Sequence, residues 1–370
     1  MNRRPFLAAR CSLGTLAALG VLAACSPKVP TVPGPETPEL LTRLRGHLVM
    51  AQPRGGIVRV SFPGGATAVV RAAAGSEATA FATVHSLSGP DEEGRIAYVE
   101  DHFFTAEEKD RKHQLKTIQL DGSKDTVHIE RAGSPLAGAA GGKGRIGRYL
   151  ALSPRGGKVA FVTGLEGRQM PDALLQEGTL EVVDLATATS KVVAEHVVDQ
   201  PLAWLPDGKR LLHVVLLAKT ALPAGSVGQQ GPGTLELAWE QVPAVHVLDL
   251  ETGTSSYLCV GSRPIAAADG KSVWVGAWQS RAKLTWVNVG MDGKHGKLTT
   301  IPGDANGLIA AEPTGLLLDW AWPTAGAQSG MAGEGTPMLC IKAVDPGTQQ
   351  FVTLLPQIDP RSSLSFGASR

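Results

Sequence analysis

Two stretches of the chain are variants of one another. Ser153–Val162 reads Ser-Pro-Arg-Gly-Gly-Lys-Val-Ala-Phe-Val, and Leu205–Val214 reads Leu-Pro-Asp-Gly-Lys-Arg-Leu-Leu-His-Val. Each closes a short apolar strand, turns tightly, and opens a second apolar strand. Weaker copies begin at Ala267 (Ala-Ala-Asp-Gly-Lys-Ser-Val-Trp-Val) and at Glu312 (Glu-Pro-Thr-Gly-Leu-Leu-Leu). A repeat of roughly 50 residues restricts the chain to an array of similar units that bury their apolar faces against one another. Such arrays present binding surfaces more often than catalytic centres.

The units are all-β. From Gly46 onward, runs with period-2 alternation are separated by Gly, Asp and Pro, and 44 glycines with 25 prolines suit many short strands and turns. The runs group in fours, here a to d from the inside outward. One group is Ala78–Val84, Arg95–Glu100, Gln114–Leu120 and Thr126–Glu130; the next is Arg148–Leu152, Lys158–Thr163, Thr179–Leu185 and Lys191–Ala194. A third is Pro201–Trp204, Arg210–Leu217, Ala244–Leu250 and Ser255–Cys259; a fourth is Pro264–Ala267, Ser272–Trp278, Ala282–Val289 and Lys297–Thr300. A fifth is Gly307–Ala311, Leu316–Trp322, Pro337–Val344 and Gln350–Leu354. At the front, His47–Ala51, Gly56–Phe62 and Thr67–Arg71 lack an innermost strand, while Ser362–Phe366 at the far end is an unassigned strand. Closing the ring removes free sheet edges, so the C-terminal strand is expected to complete the first blade of a six-bladed β-propeller of four-stranded antiparallel blades. The alternative is a three-stranded first blade with an unpaired tail.

The c–d turns agree with one another. Asp121-Gly122, Asp184-Leu185-Ala186-Thr187, Asp249-Leu250-Glu251-Thr252-Gly253, Asp292-Gly293 and Asp345-Pro346-Gly347 occupy one place in five groups. Asp accepts local backbone hydrogen bonds and Gly tolerates positive φ, so Asp207 and Gly208 in the a–b turn and Asp249 and Gly253 in the c–d turn are expected to be structural. The pattern, best matched by Leu205-Pro206-Asp207-Gly208-Lys209, resembles the TolB-type, WD-repeat-like family of six-bladed β-propellers from about Gly46 to the end. Other copies depart from it: Arg155-Gly156 stands for Asp-Gly, Ala268 for Pro, and Thr314-Gly315 for Asp-Gly. TolB proteins carry a separate N-terminal α/β domain, which Ser26–Arg45 is too short to hold.

The long connections fall in one class. Asp101–His113, Gly164–Gly178, Ala218–Pro243 and Pro323–Thr336 join b to c, and Arg131–Gly147 joins d to a. In a propeller both kinds emerge on one face, whereas the short a–b and c–d turns emerge on the other. Long loops on a rigid scaffold carry function. Phe103, Phe104 and Trp239 lie in these loops and are candidate anchors for a protein partner, because aromatics dominate binding hot spots.

The N-terminus reads as an export signal spanning residues 1–24. Arg3 and Arg4 precede an uncharged run from Cys11 to Ala24, too short for an ordinary membrane span. Leu22-Ala23-Ala24-Cys25 resembles a bacterial lipobox, which implies cleavage between Ala24 and Cys25 and lipid on Cys25. Arg3-Arg4-Pro5-Phe6-Leu7 also resembles a twin-arginine motif. Residues 25–45 read as a Pro-rich tether to a propeller over 46–370: Ser26–Pro38, with Pro27, Pro30, Pro33, Pro35 and Pro38, is expected to be extended, and Glu39–Arg45 has room for one helical turn or two. Ser26 after the cysteine resembles an outer-membrane address. The expected setting is thus the bacterial cell envelope, with a membrane held through Cys25 and an envelope protein as partner.

The formal net charge of +1 includes Arg3, Arg4 and Arg10 of the signal. Without them no basic field for nucleic acid exists. Gly142-Lys143-Gly144-Arg145-Ile146-Gly147 fits G-x-G-x-x-G but lacks the strand before and helix after that a dinucleotide site needs. No G-x-x-x-x-G-K-[ST], H-E-x-x-H or G-x-S-x-G occurs. Cys259 and Cys340 are assigned to non-adjacent blades and are expected as separate buried thiols. His85, His128, His196, His213 and His246 are scattered on or beside strands and read singly as structural. No catalytic residue, metal or cofactor is assigned. The alternatives are a propeller enzyme of lactonase- or lyase-like type with a metal in its axial channel, and a small-ligand or glycan sensor.

Overall fold

A computed structural model of the chain describes residues 37–73, 81–103, 112–132, 146–169, 174–224, 240–280, 283–299, 305–311, 315–321, 339–358 and 363–367. The strand β5 (Arg95–Phe103) shows why the apolar runs in this chain build stacked sheets. Ile96, Ala97, Tyr98 and Val99 are all fully buried. Ile96 and Tyr98 point one way, into a cluster with Val49, Ile57 and Val70. Ala97 and Val99 point the other way, to Ile146, Leu150, Val159 and Phe161. A sheet apolar on both faces must be covered on both faces. Each fully buried Val or Leu contributes about 2 kcal/mol of burial free energy to that stacking.

The first sheet joins β1 (Gly46–Ala51), β2 (Ile57–Phe62) and β3 (Ala66–Arg71) to β24 (Leu364–Gly367) in the order β24-β1-β2-β3. The C-terminal strand therefore lies against the first strand of the body, with Leu48 opposite Phe366 and Met50 opposite Leu364. The second sheet is β4 (Phe81–Ser88), β5, β6 (Lys112–Gln119) and β7 (Thr126–Ala132). Two further four-stranded sheets follow later in the chain. One is β16 (Ser262–Ala266), β17 (Ser272–Ser280), β18 (Lys283–Gly290) and β19 (His295–Thr299); the other is β20 (Ala305–Ala311), β21 (Leu317–Ala321), β22 (Leu339–Val344) and β23 (Phe351–Ile358).

Between them the structure departs from six separate blades. β8 (Ile146–Leu152), β9 (Lys158–Gln169), β10 (Leu174–Asp184) and β11 (Thr189–Val198) are continuous with β12 (Ala203–Trp204), β13 (Arg210–Ala218), β14 (Gln241–Asp249) and β15 (Ser255–Val260) in one eight-stranded sheet. The junction is a single pair, Val197 opposite Val215. It forms because β11 runs on to Val198 rather than ending at Ala194, while the strand expected over Pro201–Trp204 shrinks to Ala203–Trp204. The architecture is a propeller-like stack of four four-stranded sheets and one curled eight-stranded sheet.

Innermost strands touch in a closed circuit: β4 with β8, β8 with β12, β12 with β16, β16 with β20, β20 with β24, and β24 with β4. Polar bonds reinforce part of it. Ser86 Oγ donates to the Arg148 carbonyl at 2.7 Å, Leu152 N donates to Ser88 Oγ at 2.8 Å, and Trp204 Nε1 donates to the Ala151 carbonyl at 2.8 Å. Arg263 N donates to Gln200 Oε1 at 3.1 Å.

Two local readings change. Gly164–Gly178, expected as an irregular loop, is largely a paired ribbon: β9 and β10 run together out to Gln169 opposite Leu174, with a bulge between Glu177 and Thr179. Leu40 and Leu44, read as part of the tether, are buried against Leu316, Leu318, Ala343 and Val352. A 3₁₀ turn at Pro38–Thr42 places them there, held by Thr37 N on the Phe351 carbonyl (2.8 Å) and by Arg43 on Asp345 (2.7 Å). Cys259 and Cys340 are buried in different sheets.

Candidate binding face

The two ends of the sheets differ in kind. At one end the turns satisfy themselves. Asp207 Oδ1 accepts from Lys209 N and Arg210 N at 2.8 and 3.0 Å, and Gly208 takes φ +68°. Asp249 Oδ1 accepts from Glu251 N and Thr252 N, both at 2.9 Å, and Gly253 takes φ +73°. The structure brings these two turns together: Leu250 N donates to the Lys209 carbonyl at 3.1 Å, and Lys209 pairs with Glu251 at 2.8 Å. Asp121, Asp292 and Asp345 make the same kind of bond in the other sheets, and Asp184 makes it in the other half of the eight-stranded sheet. Backbone N–H groups of Thr252 and Glu251 hold the Asp249 carboxyl below the usual range, as those of Thr187 and Ala186 do for Asp184. For Asp207 burial opposes this effect, but the Lys209 N–H and Arg210 outweigh it. Acceptors committed to their own turn have little left for a partner.

The opposite end carries the long connections. Phe103 is the last residue of β5, opposite Phe81 of β4. Phe104 and Trp239 lie outside the described residues, as do Ala24 and Cys25. The connection around Trp239 leaves from a closed base: Ala218 pairs with Gln241, and Lys219 N donates to the Glu240 carbonyl at 3.2 Å. Beside the Asp101–His113 connection, a β-bulge between Val84 and Ser86 puts His85 Nδ1 2.8 Å from the buried Asp101 carboxylate. Bulges re-aim side chains near working surfaces.

Sequence reading missed the charged clamps between neighbouring sheets. Arg71, the last residue of β3, reaches into the next sheet, bonds Glu100 and lies 5.5 Å from the Tyr98 ring centre. Lys116 Nζ also holds Glu100, at 2.9 Å, and lies 3.3 Å from Asp125. Burial pushes the Glu100 carboxyl up, but His102, Lys116 and Arg71 outweigh it and hold it down to about 2. Burial and the neighbouring Asp125 carboxylate, which accepts from Tyr98 Oη at 2.7 Å, push the Tyr98 phenol up. Arg131, near the end of β7, repeats the device one sheet on. It donates to Glu181 at 2.6 Å and to Thr163 Oγ1 at 3.0 Å, over the Phe161 ring at 5.5 Å. The available signal was the recurrence of Arg-Ala at the end of two fourth strands, Arg71-Ala72 and Arg131-Ala132.

His213 and His246, read as separate, face each other in β13 and β14. Burial first, then the charge of His246, lowers His213 to about 4 against the pull of the Leu211 carbonyl; burial lowers His246 as well. Among the described residues no group of three or more His, Cys, Asp or Glu is placed to hold a metal ion. No helix among them is long and apolar enough to cross a membrane.

No family model and no curated protein matches the chain. Among solved structures, it is similar to TolB from Acinetobacter baumannii, with 15% identity and a TM-score of 0.56, covering 88% of this chain and 67% of that one. The fold is that of a TolB-like β-propeller. Weaker similarity extends to a putative TolB from Agrobacterium tumefaciens, with 11% identity, a TM-score of 0.48, and coverage of 88% and 99%. It also extends to the β-propeller domain of the trilobed protease from Pyrococcus furiosus, with 18% identity, a TM-score of 0.41, and coverage of 75% and 72%. At these identities the likeness concerns the fold.

Proposed function

We propose that this chain is an envelope lipoprotein whose propeller docks another envelope protein on its loop-bearing face. In this reading Cys25 carries the lipid and places the protein at the outer membrane, and Phe103, Phe104 and Trp239 supply contact. The blades number six, the eight-stranded sheet counting as two blades hinged at Val197–Val215. The closed circuit of innermost strands supports that count, as does the single pair at the junction.

The observation that carries the docking reading is the division of labour between the ends. One end is a row of short turns whose acceptors are used up internally. The other carries the long connections from β5 to β6, β7 to β8, β13 to β14 and β21 to β22. A scaffold with no selected face would spread insertions over both ends.

The test is capture of a partner from gently solubilised envelopes by the lipidated chain and by a variant with residues 221–239 replaced by a short Gly-Ser link. The cut respects the sheet, because Ala218–Gln241 and Lys219–Glu240 already hold the ends together. Loss of a partner recovered by the intact chain, with thermal unfolding unchanged, supports the reading; equal recovery by both sinks it. For the anchor, Cys25→Ala should move the protein from the membrane to the soluble fraction.

A further inference from the structure

The fold turns two unrelated-looking histidines into a pair. His213 of β13 stands directly opposite His246 of β14. Opposed residues of an antiparallel pair project from the same face, with Cβ atoms roughly 4.5–5.5 Å apart. The ring centroids lie 5.8 Å apart at an interplanar angle of 52°. Tyr257 of β15, opposite His246, meets that ring edge-on at 6.0 Å.

Their nitrogens are the informative part. His246 Nδ1 sits 3.2 Å from Ser255 Oγ. When that nitrogen donates, Nε2 carries the lone pair, and Nε2 is buried without a hydrogen-bond partner. His213 is 1% exposed, and its Nδ1 is likewise buried without a hydrogen-bond partner. Two buried nitrogens on neighbouring rings, both lacking such partners, call for an explanation, and an ion shared by the rings is one.

The spacing fits. Imidazole nitrogens bind zinc at about 2.0–2.1 Å, so two rings sharing one ion have centroids roughly 5–6 Å apart. A ligating histidine usually donates its far nitrogen to an oxygen acceptor that fixes the tautomer, and the Ser255 hydroxyl is placed to be that acceptor here. Imidazole suits the late first-row divalent ions, with copper bound most strongly.

We propose that His213 and His246 form a two-histidine site for one divalent late-transition-metal ion, with Ser255 as a positioning residue and the remaining coordination left to water or an incoming ligand. The site lies on the second and third strands of its blade, away from the innermost strands, and does not depend on the docking reading.

The experiment titrates the chelator-treated full chain with Cu²⁺, following stoichiometry by calorimetry and nitrogen hyperfine structure by electron paramagnetic resonance. The expected result is one ion per chain with two imidazole nitrogens. His246→Gln, at a half-buried position, should weaken binding at least about tenfold and remove one nitrogen from the spectrum. His213→Ala should do the same. Ser255→Ala should weaken binding while both nitrogens remain, which a merely structural role for Ser255 would not produce. His196→Gln, at an exposed position, should change nothing. Absence of stoichiometric binding by the folded chain overturns the proposal, and so does binding by a folded His246→Gln variant that matches the parent in affinity and spectrum.

Discussion

Replacing Glu100 by Gln keeps the side chain's shape and removes its charge. The carboxylate is 1% exposed and is held by Arg71, by Lys116 at 2.9 Å and by His102 at 3.5 Å. Its fall from 4.5 to about 2 corresponds to a contribution of about 3 kcal/mol near neutral pH. Breaking a buried pair from one side costs about 3–5 kcal/mol; here Asp125, 3.3 Å from Lys116 and 4.0 Å from Arg71, retains part of the compensation. We therefore expect Glu100→Gln to lose about 3 kcal/mol in urea unfolding at pH 7. The pH dependence sharpens the test. A folded-state value below the unfolded one means that the unfolded chain takes up the proton first. The stabilisation is complete above 4.5 and drains away as pH falls toward about 2. The gap between parent and variant should thus be widest near neutrality and narrow steadily in acid. A loss under about 1 kcal/mol at pH 7, or a gap of the same size at about pH 2.5, would refute the reasoning.

Three further perturbations test the architecture. Gly178→Ala places a Cβ against the Thr163 carbonyl oxygen at the bulge of the β9–β10 ribbon and should cost about 2 kcal/mol or more in urea unfolding. Gly208→Ala, in open space at φ +68°, should cost only about 1 kcal/mol, so an inverted order contradicts the ribbon geometry. Truncation before Ser363 removes β24, uncovers the β1 edge and strips Leu364 and Phe366 from Leu48 and Val60. It should lower the melting temperature and raise the mass seen by light scattering with concentration, and a truncated chain matching the full one in both rules out closure by β24. Trp204→Phe loses the donor to the Ala151 carbonyl and should cost about 1–2 kcal/mol; no measurable change means that bond does not help join neighbouring innermost strands.

What was legible in the sequence was local. Continuous apolar runs marked strands such as β5 and β13, because a sheet covered on both faces needs apolar residues at odd and even positions alike. Asp249 and Gly253 marked their turn because the acceptor and the positive φ are both supplied within five residues. The short turn over Glu39–Arg45 could be suspected from the sequence, but the burial of Leu40 and Leu44 could not, because their partners Leu316, Leu318 and Val352 lie hundreds of residues away. The β9–β10 ribbon was misread for another reason: Gly164, Gly167 and Gly178 look like loop residues, yet here one supports a bulge in a ladder that continues past it.

The polar core escaped for a reason that bears on function. Glu100 sits at the polar end of its strand, where a charge is ordinarily solvated. Only the stacking of sheets delivers Arg71 from 29 residues upstream to bury it. The same holds for Arg131 with Glu181, whereas His213 and His246 meet within one sheet, where only the exact register of β13 on β14 makes them neighbours. Both arginine clamps bind the second sheet to the sheets beside it, and that sheet also carries the His85–Asp101 bulge at the base of a long connection. A connection that works as a docking element needs a base that does not shift when the partner arrives. Charged pairs with fixed geometry resist sliding between sheets better than interchangeable apolar contacts do. On this argument the second sheet is the most firmly held part of the loop-bearing face, and loss of Glu100 should loosen the Asp101–His113 connection before it unfolds the domain.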